Sequence, residues 1–210
     1  MEEILQISFF ILEGIKITFL YSICGITIGI LFSLLLSFTN YSKLKILSKV
    51  YVSIFRGTPL LIQLYIAYYV IPNMLGMRPN VFISGSLAFG LNSAAYLSEI
   101  IRCGIESVDA GQTEAARALG ISKFSTIKDI VLPQAFRNIF PSLVNELINL
   151  IKESAIISVL GEQDIMRNAQ LVAMQNYEYI LPMIVAASVY YITINVISLV
   201  ARYIEKIIKI

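Results

Sequence analysis

The residues able to do chemistry in this chain are charged groups set in apolar surroundings. Glu99 and Arg102 lie in one hydrophobic stretch, Glu146, Lys152 and Glu153 in another, and Arg56 immediately precedes Gly57-Thr58-Pro59. Such groups can solvate a polar solute, attract an opposite charge or pair internally. Covalent chemistry is poorly provided for. The chain has no histidine, which removes imidazole metal sites, Ser-His triads and imidazole proton shuttles. Its two cysteines, Cys24 and Cys103, are spaced as neither a metal pair nor a redox motif and read as small core residues. No recognisable nucleophile–base set supports a membrane-embedded enzyme.

The elements that must position these groups are membrane spans. Hydrophobic residues make up 57% of the 210 and charged residues 14%, with a mean hydropathy of +0.77. A soluble domain carries about a quarter charged residues, so an integral membrane protein is expected. The net charge is +2 and the basic residues form no dense patch, which argues against nucleic acid as a partner. The start, MEEILQIS, is acidic, unlike a cleaved signal peptide. A helix needs about 20 apolar residues to cross a bilayer. Five stretches qualify, at about 8–38, 50–71, 81–105, 133–160 and 179–203. They form one domain over 1–210 with short connections.

The basic residues orient it. Lys43, Lys45 and Lys49 follow the first span; Arg117, Lys123 and Lys128 lie between the third and fourth; Arg202, Lys206 and Lys209 are in the tail. The opposite connections hold only Arg78 and Arg167. The first set is read as cytoplasmic, with the N-terminus outside and the C-terminus inside.

Within the fourth span, Ser142, Asn145, Glu146, Asn149, Lys152 and Glu153 fall in an arc of roughly 120°. In the third, Asn92, Tyr96, Glu99 and Cys103 share a face, with Gly85 and Ala88 permitting close helix approach. Internal ion pairs, Lys152 with Glu146 or Arg102 with Glu99, would lock the bundle. A continuous polar stripe on two spans favours a lined pathway instead. Gly57-Thr58-Pro59 breaks or kinks the second span, and irregular backbone at membrane depth needs protein or a cavity beside it. Gly57 and Thr58 are therefore placed near a solute, with Arg56 as a gate or structural ion-pair residue. Asp164, in the connection 161–168, either adds negative charge at the outer mouth or belongs to a solvated loop or docking surface.

One charged segment, GQTEAARALGISKFSTIKDIVLP at 111–133, interrupts the apolar chain. Thr113 is a candidate N-cap, residues 114–119 are strong helix formers and Gly120 a stop. Ser122–Leu132 forms a second short amphipathic stretch, and Pro133 suits the first turn of the next span. The result is a surface knob that either docks in a partner's groove or rests on headgroups.

Glu114-Ala115-Ala116, three residues, Gly120, nine residues, Ile130, one residue, Leu132-Pro133 resembles the signature loop of bacterial ATP-binding cassette (ABC) importer permeases. Residues 56–63, RGTPLLIQ, 96–102, YLSEIIR, and 149–154, NLIKES, resemble the polar amino acid branch of that family, and the likeness covers about 10–205. The resemblance implies an all-α type I ABC importer permease of five transmembrane helices, with a cytoplasmic coupling loop at about 109–132. It implies that Glu114, Ala115, Ala116, Ala118, Leu119 and Gly120 contact a separate ATPase present in two copies, where ATP and Mg reside. This chain itself is expected to bind no cofactor or metal. A second permease subunit, as a homodimer, and an external binding protein complete the expected assembly in the bacterial plasma membrane. Gly120 is expected to keep a side chain from crowding the turn.

The expected function is import of a polar, basic amino acid (arginine, lysine or histidine) by alternating access. Glu153 and Glu99, with Asp164, would meet the cationic group; Asn92, Ser93, Gly57 and Thr58 would meet the backbone groups. Arg56, Arg102, Glu146 and Lys152 would be gate or ion-pair residues. The same machine specific for glutamine or glutamate is the alternative, and an autonomous channel or secondary transporter is the rival class.

Overall fold

The computed structural model describes residues 2–39 and 45–209. Lys43, counted above in the first basic connection, lies outside them. Every regular element among the described residues is a helix. Helix α1 (Glu2–Glu13) runs almost without interruption into α2 (Ile15–Thr39), and the pair offers a span over Ile4–Ser37. The chain continues through α3 (Lys45–Gly57) and α4 (Leu60–Tyr65), a π-helical turn (Ile66–Val70) and α5 (Ile71–Met74). Helix α6 (Val81–Glu106) leads to α7 (Ala110–Ala118), α8 (Lys123–Ser125) and a second π-helical turn (Thr126–Val131). Then come α9 (Leu132–Glu153), a 3₁₀ segment (Ser154–Leu160), α10 (Ile165–Asn176) and α11 (Ile180–Lys209).

By length and composition α1–α2, α6 and α11 can cross a membrane; α3 and α4–α5 together have the length and apolarity of a fourth, but they meet at a bend of 105°, as in a broken span or a re-entrant loop. Helix α9 has 22 residues, about 33 Å at 1.5 Å each, but carries Arg137, Glu146, Lys152 and Glu153. The second stretch is thus not the straight span its apolar run predicted. Pro59 has no N–H to continue the ladder and holds an extended backbone, φ −62° and ψ 136°, so the chain turns there.

Helix α6 is the central element. Asn80 caps it, its side chain accepting from Ile83 N–H at 2.9 Å. Small residues then let α2 close against it. A side-chain carbon at Gly85 would lie 2.6 Å from the Tyr21 ring and 2.8 Å from Ile157. Tyr21, Leu64, Phe89, Leu150 and Ile157 fill the core that joins α2, α4, α6 and α9. A second core, including Ile7, Ile11, Ile165, Ala169, Val172 and Val189, ties α1, α10 and α11 together.

Helix α10 stands where a loop was expected. Asp164 is fully buried and caps it, accepting from Arg167 N–H at 2.8 Å and from the Tyr190 hydroxyl at 3.2 Å. Its carboxylate therefore faces protein, not an open mouth. Asn168 donates to the Phe10 carbonyl at 2.8 Å, which pins α10 to α1.

Candidate functional site

The break after Gly57 is held by amides. The last turn of α3 leaves carbonyls without helical donors. Gln63 Nε2 reaches back to the Phe55 carbonyl (2.9 Å), the Thr58 carbonyl (3.1 Å) and Thr58 Oγ1 (2.9 Å). Asn92 Nδ2 donates to the same Phe55 carbonyl at 3.2 Å and to Gln63 Oε1 at 3.0 Å. Asn92, expected at the solute, is thus buried and braces the bend from α6. Thr58 Oγ1 donates to the Ile54 carbonyl at 2.9 Å. Gly57 has open space where a side chain would project, so nothing among the described residues requires a glycine there. Gln63, the last residue of RGTPLLIQ, has no role that the sequence alone suggests. Its signal was a lone amide, in an apolar run, just past a helix break.

Beside the bend, Arg56 stacks on the Tyr96 ring, 5.2 Å from its centroid. Arg56, Tyr96, Glu99, Cys103, Asn138 and Ser142 line a cleft of ≈ 490 Å³ between α3, α6 and α9. The alternative pairing of Arg102 with Glu99 forms at 2.8 Å, so the carboxylate expected at the solute is engaged within the chain, and a second, unforeseen pair joins Arg102 to Glu106 at 2.7 Å.

Glu146 and Lys152 do not pair. Glu146 is buried, and Ser93 Oγ donates to its carboxylate at 2.7 Å. This bond joins α6 to α9 and occupies Ser93, which was expected to meet the solute. The polar arc of α9 is split. Glu146 turns inward and Ser142 lines the cleft, while Asn145, Asn149 and Lys152 are exposed. The continuous stripe expected from the helical wheel is thus two edges with different surroundings. Glu153 is half-buried at the end of α9 and makes no hydrogen bond to the described residues.

The knob at 109–131 is closed by its own backbone. Asp109, rather than Thr113, caps α7, accepting from Gly111 N–H at 2.6 Å. At the other end Gly120 N–H bonds the Arg117 carbonyl and Ile121 N–H the Ala116 carbonyl, both at 3.0 Å. This is the Schellman pattern, and it needs the left-handed Gly120, φ +75°. No atom of the described residues crowds a side chain at Gly120; the backbone angle, not space, calls for glycine. Ala116 turns inward, whereas Glu114, Ala115, Ala118, Leu119 and Gly120 are exposed. Leu119 and Phe124 are 79% and 74% exposed, two large apolar side chains at the tip. Asn138 of α9 donates to Ser107 Oγ at 2.9 Å and fastens the two spans from which the knob projects.

Residues 25–209 match the family model described as the inner membrane component of binding-protein-dependent transport systems. The chain belongs to this family. A putative glutamine transport system permease protein, GlnP, of Rickettsia conorii is 54% identical over 201 residues, 94% of this chain and 92% of that one. The arginine transport system permease protein ArtQ of Bacillus subtilis is 43% identical over 203 residues, 95% and 93% of the two chains. A crystal structure titled as an amino acid ABC transporter with histidines superposes with a TM-score of 0.91 at 35% identity, covering 97% of this chain and 96% of that one. The protein is an amino acid ABC importer permease, a multi-pass component of the bacterial inner membrane, with the type I importer permease fold. It is a transport component, and such a permease works with ATPase and substrate-binding partners.

Proposed function

We propose that this permease moves a polar amino acid into the cytoplasm by alternating access, driven by a separate ATPase present in two copies that carries the ATP and Mg. The knob carries this reading. A helix closed by a Schellman turn, with Leu119 and Phe124 exposed beside it, suits a rigid plug for a groove on that ATPase. The knob end is cytoplasmic, and Lys45, Lys49, Arg117, Lys123, Lys128, Arg202 and Lys206 support that side. The whole of 1–210 acts as one permease domain, with the coupling loop at about 109–132.

Two such chains form a homodimer that receives its substrate from an external binding protein. Asn145, Asn149 and Lys152 support the dimer, because an exposed polar edge on a span is costly against lipid. A basic amino acid is the first substrate reading, with Glu153 as the carboxylate free to meet its cation. Glutamine is the second. It is favoured by the commitment of Glu99 to Arg102 and of Asp164 to the α10 cap, and by the name of the Rickettsia relative.

Uptake of labelled arginine, glutamine and glutamate into proteoliposomes containing the chain, its ATPase and binding protein, with and without ATP, tests both levels. ATP-dependent arginine uptake supports the basic reading. Uptake of glutamine or glutamate alone keeps the machine and discards the role of Glu153. Uptake without ATP overturns the coupling reading.

A further inference from the structure

We propose that the cleft between α2, α3 and α6, at the end of the bundle next to the knob, binds the phosphate headgroup of an anionic phospholipid. The cleft measures ≈ 530 Å³, and Ser37, Lys45, Ser48, Lys49, Arg102 and Glu106 are among its lining residues. Lys45 and Lys49 stand four apart on α3 and project to one side. Arg102 is already engaged by Glu99 at 2.8 Å and Glu106 at 2.7 Å. Neither lysine has an ion-pair partner among the described residues; with Glu99 also in the lining, three cations face two carboxylates, both held by Arg102, and the cleft keeps a net positive charge carried by the lysines.

Depth and polarity select the ligand. The apolar span over Ile4–Ser37 and the span over Val81–Glu106 both end at this cleft, the level at which headgroups lie. The opposite face of α3 carries Ile46, Leu47, Val50 and Ile54, each at least half exposed. One short helix thus offers an apolar face to acyl chains and two ammonium groups to a cleft lined with hydroxyls. A diacyl phosphate ester uses both faces, while a free anion uses only one. Lysine stems are long enough to keep their heads at the interface while their methylenes cover apolar surface.

Native mass spectrometry of the purified full chain in detergent tests the site. The probes are phosphatidylglycerol, phosphatidylcholine with the same acyl chains, and inorganic phosphate. Phosphatidylglycerol is expected to bind more tightly than phosphatidylcholine. Lys45→Gln with Lys49→Gln should weaken it about thirtyfold, roughly fivefold per lost cation, and leave phosphatidylcholine unchanged. Lys45→Arg with Lys49→Arg, which keeps the charge, should retain binding and controls for folding. Lys206→Gln, on the C-terminal helix, should have no effect. Undiminished phosphatidylglycerol binding in the double glutamine variant overturns the proposal, as does an equal loss with Lys206→Gln. Displacement by inorganic phosphate would make the site one for a free anion and overturn the lipid assignment. The readout is binding alone, so a failure of amino acid uptake leaves it unaffected.

Discussion

Ser93 and Glu146 are 53 positions apart and share one 2.7 Å bond. A buried carboxylate without a donor is costly, about 1–3 kcal/mol beyond the lost bond itself. Ser93→Ala should therefore lower the melting temperature in detergent by several degrees. Glu146→Gln keeps an acceptor for Ser93 and removes the buried charge, so it should match or exceed the wild type. If both variants melt like the wild type, the bond has no structural weight. Glu153 carries the opposite expectation, since no hydrogen bond from the described residues holds it. Glu153→Gln should raise the arginine KM about tenfold, the worth of a charge-assisted bond, and leave any glutamine uptake unchanged; an unaltered arginine KM would remove Glu153 from the pathway. Helical periodicity places Asn92 and Glu146 on polar faces, and Ser93 beside Asn92 is a candidate contact. It could not reveal their partners, because those depend on how two helices are rotated against each other and on where a third one bends.

At the level of elements, the bend after α3 depends on Gln63. Three acceptors on the broken turn share its amide nitrogen, and Asn92 completes the brace from α6. Gln63→Leu keeps the volume and removes every one of these bonds. With Cys24 and Cys103 replaced by serine, spin labels at Ile46 and Met74, both exposed, would report the bend. The wild-type chain should give a narrow distance distribution and Gln63→Leu a broad or shifted one. An unchanged distribution would assign the bend to Pro59 alone. Gly-Thr-Pro announced a break in the sequence, but not its 105° direction, which the side chains of another span help to fix. Helix α10 was legible and was missed. Asp164 is a good N-cap, and Ile165, Ala169, Val172 and Ala173 repeat at helical spacing. Its 12 residues are too short to span a bilayer, so hydropathy over the length of a span does not mark them.

For the whole molecule, the question is what covers the outward polar edge of α9. Asn145, Asn149 and Lys152 are exposed on a helix packed between α6 and α11. An isolated chain would present two amides and an ammonium to acyl chains, and the charge alone costs at least a few kcal/mol at membrane depth. Composition signalled the membrane and the motif spacing signalled the family. Which polar residues face inward could not be read from one helix, because a second chain can supply an inside that the first one lacks. The dimer reading therefore makes a prediction that no single-chain reading shares. In proteoliposomes, a nitroxide at Asn149 should collide rarely with dissolved oxygen, which concentrates among acyl chains. A nitroxide at Leu31, exposed on the apolar helix α2, should collide often. Diluting the protein into excess lipid should leave the contrast intact, since burying a charged edge gives the two chains a strong reason to stay together. If Asn149 is as accessible to oxygen as Leu31, the edge faces lipid and the dimer loses the argument that this edge supplies.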